Sequence, residues 1–358
     1  HLFEVVPEID LAEACADMEN PKKIVFILKT VKSEFTAQFF TELPAEIKEV
    51  IVKSISDDQL QDILDTQFTD DIVDDLEELP ANIVTRVLKN VDKQRRATIN
   101  RLLNYKENTA GSIMTVEYAE LKTDLTIERA ISILKKEMEE YETVNTCYVV
   151  DKKRKLVGKI YLKDLLFAKP NELVGDLCED CFSVKTSTDQ EEVANLFKKY
   201  DVSVMAVVDN ENRLIGIITV DDIIDVIESE TNEDIEKMAA IIPTDKPYFD
   251  TSVWETWKKR IPWLLLLMIS ATFTGKIISS FEDSLATIPV LTAFIPMLMD
   301  TGGNAGGQVS VTIIRGLSLE EIELSDWLKA VWKELRVALL CGVTLAICNF
   351  GKLLLIDK

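Results

Sequence analysis

The run Ile261–Phe281 (IPWLLLLMISATFTGKIISSF) carries one charge, Lys276, near its far end. A helix rises about 1.5 Å per residue, so the run is long enough to cross the roughly 30 Å hydrocarbon core of a bilayer. In lipid the backbone has no water to bond, so such a segment must be helical. Lys276 is placed to snorkel to the interface. Two further apolar stretches, about 286–314 and about 331–356, make three candidate spans. Basic residues orient them. Lys258, Lys259 and Arg260 precede the first span, Arg315 and Lys329 lie in the second loop, and Lys333 and Arg336 open the third, while Glu282 and Asp283 occupy the first loop. The excess of Lys and Arg marks the cytoplasmic side. Residues 1–260 and the 315–330 loop are therefore expected in the cytoplasm of a multi-pass cell-membrane protein. The sequence stops as it leaves the third span, so its membrane domain (261–358) is expected to be incomplete.

The second span contains PMLMDTGGNAGGQVS, Pro296–Ser310, with four glycines, Asp300, Asn304 and Gln308 within nine residues. Each glycine costs a helix about 1 kcal/mol relative to alanine, and a carboxylate in lipid costs more. A phosphate-binding loop would need GxxxxGK followed by Ser or Thr, whereas Gly307 is followed by Gln308 and Val309. A broken helix lining protein or a watery path remains, with Asp300, Thr301, Gly302, Gly303, Asn304 and Gly306 as the candidate lining. Close helix packing through the glycines is a second reading, and both can hold together.

Charge is distributed unevenly. The net charge is −22, yet from Ile261 onward 7 basic residues face 9 acidic ones, leaving 33 against 53 in residues 1–260. Such an acidic surface attracts cations and repels nucleic acid. Of six cysteines only Cys178 and Cys181 form a CxxC, with no second pair, and the sole histidine is His1. Zinc, redox and histidine-based catalysis are not supported. No catalytic residue is assigned, and the chain reads as a non-enzyme.

Two segments repeat. VVDKKRKLVGKIYLKDLL (149–166) matches VVDNENRLIGIITVDDII (207–224), and the helical segments upstream match with an offset of 63 rather than 58. The first copy thus has five extra residues around Tyr141 to Cys147. Each copy reads as strand, amphipathic helix, two strands joined by a tight polar turn, then helix. A second repeat lies upstream, where ELPAEIKEVIVKSI (42–55) recurs as ELPANIVTRVLKNV (78–91), with proline expected in the first turn of each helix. Residues 1–108 therefore read as a helical solenoid. Between the copies Asp70, Asp71, Asp74 and Asp75 crowd one helix, where residues three and four apart repel. They form either a solvated face or a surface that needs a divalent cation to close on another acidic surface.

The pair of repeats over 109–232 resembles a tandem CBS pair. Its second copy ends in Gly216-Ile-Ile-Thr219-Val-Asp-Asp222, which in that family implies an adenosine site: Thr219 and the helix start toward phosphate, Asp222 toward ribose. The first copy has Tyr161 in place of that hydroxyl, so one good nucleotide site is expected at most. The alternative for Thr219 and Asp222 is a structural strand–helix turn.

The order of parts then resembles the MgtE family of magnesium channels over the whole chain. It runs from an acidic α-helical solenoid (1–108), through the α/β CBS pair (109–232) and a connecting helix with its basic collar (233–260), to a transmembrane helix bundle with the glycine-rich motif. The resemblance implies a homodimer in the lipid bilayer that takes up Mg2+, with a further span, not present in these residues, supplying the ion-selecting aspartate. It implies closure by cytosolic Mg2+ bound at Asp70, Asp71, Asp74, Asp75, Asp209, Glu211, Asp221 and, on the connecting helix, Asp250. Modulation by ATP at the CBS pair is also implied. The rival reading is a non-conducting, membrane-anchored CBS sensor of adenine nucleotide.

Overall fold

The computed structural model describes residues 6–16, 21–28, 33–244, 248, 251–288, 290–319 and 321–355. Two compact units divide the chain, residues 1–227 and 228–358.

The first unit opens with α1 (Glu8–Ala16), α2 (Pro21–Leu28), α3 (Ser33–Thr41), α4 (Ala45–Ser54), α5 (Asp57–Leu64), α6 (Thr69–Glu78), α7 (Ala81–Asn90) and α8 (Lys93–Leu102). The repeated segments are α4 and α7. Their prolines stand one step earlier than expected, at the N-cap, with ψ 145 at both Pro44 and Pro80. That extended backbone holds the entering chain out of the helix without removing a ladder donor. Helices α1 and α3, α2 and α4, α3 and α5, α5 and α7, and α6 and α8 pack together, each on the next but one. Their apolar stripes meet in one core: Ile47 and Ile51 of α4, Leu60 and Ile63 of α5, Ile72 and Leu76 of α6, Ile83 and Val87 of α7. The sequence supplies those residues at helical spacing, which is why the solenoid forms.

The first CBS-type motif is β1 (Tyr118–Lys122), α9 (Ile127–Glu137), β2 (Thr143–Val150), β3 (Leu156–Tyr161) and α10 (Leu162–Phe167). After the single turn α11 (Val174–Leu177) comes the second: β4 (Ser183–Lys185), α12 (Gln190–Tyr200), β5 (Val204–Val208), β6 (Leu214–Thr219) and α13 (Val220–Met238). In each three-stranded sheet the first strand runs parallel to the second and the second antiparallel to the third. The tight turns are built alike. Asp151 accepts from the N–H of Lys153 and Lys155 at 2.7 and 2.9 Å, and Asp209 from those of Glu211 and Arg213 at 2.8 and 2.9 Å. Arg154 and Asn212 take the left-handed conformation at φ 61 and 62. The turns then bond reciprocally, Leu156 N–H to Asn212 O at 2.9 Å and Leu214 N–H to Arg154 O at 3.1 Å. Two similar sequences have packed as a pseudo-symmetric pair. A Cβ on Gly158 would stand 2.2 Å from Glu179 O and one on Gly216 2.6 Å from Thr115 O, so both positions require glycine for the crossing backbone. The five extra residues of the first copy become a 3-10 turn, Met138–Glu140, and a β2 of 8 residues against 5 in β5.

The boundary expected at 232/233 falls inside α13. Within the second unit follow α14 (Val253–Ser280), α15 (Glu282–Thr287), α16 (Val290–Ser318) and α17 (Trp327–Leu355). Ser252 caps α14 by accepting from Glu255 N–H at 3.2 Å. Among the described residues α14 is the one helix that is both long and apolar enough to cross a membrane by length and composition, with a mean hydropathy of 1.7. Helices α16 and α17, of 29 residues each, have the length for it, about 43 Å. The stretch expected as one span from 286 is divided, its first residues belonging to α15.

Candidate functional sites: an acidic junction and a glycine-rich helix

Helix α6 turns Ile72, Val73 and Leu76 into the solenoid core and presents Asp70, Asp71 and Asp74 on its other side. Opposite them stand carboxylates of the CBS pair: Glu117 before β1, Glu142 before β2, and Asp222 in the first turn of α13. Burial pushes Asp70 up to about 8, and the charges of Asp71, Asp222, Glu142 and Glu117 add to it. Asp74 and Glu142 are each pushed up to about 7 by burial and then by neighbouring acids, Glu77 and Asp222 for the first and Asp222 and Asp71 for the second. Burial, then Asp75, brings Asp71 to about 6. Like charges held close each disfavour ionisation of the others, here with Asp70, Asp71 and Glu142 half-buried and Asp74 exposed. One oxygen of Asp70, Oδ1, is buried without a hydrogen-bond partner. Among the described residues no three carboxylate, thiol or imidazole groups converge as a ready-made metal cage.

Local chemistry explains how the junction is held. Thr69, at the start of α6, donates its hydroxyl to Glu117, and Thr115 donates to the same carboxylate at 3.2 Å. Arg95 locks the α5–α6 corner by donating to Leu64 O at 2.6 Å, to Gln67 O and to Thr69 Oγ1 at 3.2 Å. The expected acidic residues divide accordingly. Asp70, Asp71 and Asp74 face the CBS pair, and Asp221 adds its charge at Glu142. Asp75 does not share that face: it is buried, ion-paired with Lys48 at 2.5 Å, and accepts from Gln67 at 3.1 Å. Its charge is already answered inside the solenoid. Asp209 is the turn-former described above, and Glu211 is ion-paired with Arg213. Asp250 lies outside the described residues. Glu117 and Glu142 were not singled out from the sequence. Glu142 lies at the five-residue insertion, which was the available signal.

Thr219 donates to Asp222 Oδ2 at 2.6 Å through its hydroxyl and 3.4 Å through its N–H, closing the head of α13. Asp222 thus serves as a cap and belongs to the acidic junction. At the matching place in the first copy, Lys159 donates to Tyr161 Oη at 2.6 Å, with the Lys159 and Lys163 ammonium groups 4.7 and 5.0 Å from the ring centre. Cations gather where the sequence pattern was broken.

The glycine-rich motif corrects one expectation. Helix α16 runs without a break through Asp300, Thr301, Gly302, Gly303, Asn304 and Gly306. Thr301 returns its hydroxyl to Met297 O at 2.8 Å, a bond that helical backbone provides for. A Cβ added at Gly302, Gly303, Gly306 or Gly307 would meet nothing within 4 Å, so the strip is open in the single chain. Four-residue spacing puts Asp300 and Asn304 on one face.

Comparison with known proteins agrees with this arrangement. Residues 6–108 match the MgtE intracellular N domain, 110–171 and 174–229 match the CBS domain, and 295–357 match the family described as a divalent cation transporter. The magnesium transporter MgtE of Bacillus subtilis is 32% identical over 347 residues, 93% of this chain and 76% of its own length. That of Thermus thermophilus is 39% identical over 263 residues, 73% of this chain, and the match spans only 58% of the relative. Among solved structures, the cytosolic domain of the Mg2+ channel MgtE in complex with ATP aligns at a TM-score of 0.59 and 33% identity, covering 63% of this chain and 92% of that one. The soluble part of a magnesium transporter aligns at 0.59 and 31%, covering 64% and 90%. With its helical N domain, CBS pair and glycine-bearing long helix in this order, the chain belongs to the MgtE family.

Proposed function

We propose that this chain belongs to a magnesium channel or transporter of the cytoplasmic membrane, multi-pass and homodimeric, with residues 1–260 cytoplasmic. In this reading it is closed when cytosolic magnesium binds at the acidic junction. The carrying observation is that Asp70, Asp71 and Asp74 of the helical domain lie within reach of the Asp222 charge, Asp70 also of Glu142 and Glu117, with Thr69 at the head of α6 bonded to Glu117 and Asp70 Oδ1 buried without a hydrogen-bond partner among the described residues. Such packing is unfavourable while the groups are charged and becomes favourable when a divalent cation neutralises them. A cation that binds the packed arrangement better selects it. Magnesium keeps several of its waters, so carboxylates spread over a junction can share it through water. When the ion is scarce, repulsion separates the two surfaces. Asp221 takes part through Glu142, and Asp75 supports the fold.

In the membrane, Asp300 and Asn304 on one face of α16 offer oxygens to a hydrated cation, and the glycine strip gives a second chain room to approach. The relatives named as magnesium transporters support the ion, and the ATP-bound cytosolic domain supports a nucleotide in the cytosolic part, for which the CBS pair is the site we propose. The acidic surroundings of Thr219 and Asp222 are a poor host for a triphosphate, whereas Lys159 and Lys163 around Tyr161 are a better one. Magnesium influx into liposomes holding the full-length protein tests the whole reading. Asp70→Asn with Asp74→Asn should raise several-fold the magnesium needed on the cytosolic side to stop flux. Wild-type protein without flux would leave the membrane-anchored nucleotide sensor instead.

A further inference from the structure

All five tryptophans of the chain fall in two short windows, Trp254, Trp257 and Trp263 at the head of α14 and Trp327 and Trp332 at the head of α17. Every one is exposed, from 43% to 74%. Trp254 and Trp257 meet edge to face at 5.8 Å, and the Arg336 guanidinium lies 5.9 Å over the Trp332 ring. Exposed cations stand beside them: Lys258 and Arg260 between Trp257 and Trp263 on α14, Lys333 and Arg336 after Trp332 on α17. Neighbouring cations are already engaged, Lys259 donating to Pro243 O at 2.9 Å and Lys329 pairing with Asp326 at 2.6 Å. Among the described residues these four cations have no ion-pair partner. In a chain of net charge −22, unpaired cations so concentrated call for an anion from outside. Indole rings prefer the headgroup level of a bilayer, with one side apolar and one side wet. If α14 and α16 both cross, α17 begins on the side from which α14 began, so both clusters lie at one interface.

We propose that this tryptophan–basic collar binds the anionic phospholipid headgroups of the cytoplasmic leaflet. The proposal rests on the membrane-spanning reading above. Anionic lipid fits better than a soluble anion because the rings and the cations share one level, and only a lipid offers tail and phosphate together. Basic residues beside a membrane add attraction to anionic lipid one by one, within a Debye length. The collar thereby lets a strongly acidic protein sit against a negatively charged surface.

Tryptophan fluorescence of the chain reports this collar alone. The chain is reconstituted in phosphatidylcholine vesicles with a minor fraction of phosphatidylglycerol, bromine being placed on the tails of one lipid or the other. Per mole, brominated phosphatidylglycerol should quench at least about twofold more than brominated phosphatidylcholine. Lys258→Gln, Arg260→Gln, Lys333→Gln and Arg336→Gln together should bring that ratio to one while phosphatidylcholine still quenches, and Lys258→Gln with Arg260→Gln alone should lower it partway. A wild-type ratio of one with strong quenching by both lipids overturns the proposal and leaves the spans standing. Quenching by neither lipid overturns the spanning reading and the proposal with it.

Discussion

The two units of this chain solve the burial of apolar side chains in opposite ways. In residues 1–227 the solenoid and the CBS pair enclose theirs, with Ile51, Leu60, Ile72 and Leu121 all fully buried. In 228–358 most of the described leucines and isoleucines of α14, α16 and α17 are exposed, and α14 has no fully buried residue. A water-solvated unit must cover its own hydrocarbon, whereas a unit solvated by lipid or by a second chain has no reason to. Charge follows the same division. In the first unit carboxylates collect where the solenoid meets the CBS pair; in the second, cations collect at the helix heads.

The largest effect should come from Lys48→Ala. It leaves Asp75 buried and unpaired, and unfolding of the first unit should become easier by about 3–5 kcal/mol in a denaturant titration. Survival with wild-type stability would mean that water reaches Asp75. A matched pair sharpens the contrast next. Leu60→Ala removes a fully buried side chain and should destabilise by about 2–5 kcal/mol, whereas Leu266→Ala, exposed on α14, should change stability in detergent by less than about 0.5 kcal/mol. Equal losses would show that α14 is packed in its working state. In the second unit the sensitive residue should be a polar one: Asn304→Ala should slow magnesium flux about tenfold, some 1.4 kcal/mol of barrier, in a dimer that still assembles. Normal flux there, with Gly303→Leu disrupting assembly, would make the glycines a packing motif only.

Proton dependence is expected to be milder. The junction carboxylates hold protons more tightly packed than apart, so the packed arrangement binds more protons, and its stability falls as pH rises. The loss begins in the ordinary carboxylate range near 4 and is complete as pH passes about 8, where Asp70 ionises. Between pH 8 and pH 6 the magnesium needed to protect the first unit from protease should therefore drop several-fold. Identical midpoints at the two values would sink the electrostatic account of closure. The smallest effect concerns nucleotide. Calorimetry should find ATP affinity reduced a few-fold by Lys163→Ala and little changed by Asp222→Ala; the reverse result would return the site to the second CBS copy.

Much of the architecture was legible in local patterns. The 36-residue recurrence marks α4 and α7, and the aspartate 58 residues after Asp151 builds the same turn at Asp209, because a short side chain bonding its own backbone needs only its neighbours. Apolar length announced α14 for the same reason. The sequence predicts a broken helix over Pro296–Ser310, but glycines only weaken a helix and each still donates and accepts its backbone bonds, so α16 stays continuous.

Pattern and spacing alone thus determined the order of domains, the periodicity of each element and the apolar stretches proposed to span the bilayer, since these depend on residues a few positions apart. Which carboxylates share a surface was decided only by tertiary structure. Asp75 is answered by Lys48, 27 residues away, while Asp70 is opposed by Glu117, Glu142 and Asp222 from a different domain. Electrostatic neighbours act through a few ångströms of space and its local solvation, and neither is written in the distance along the chain.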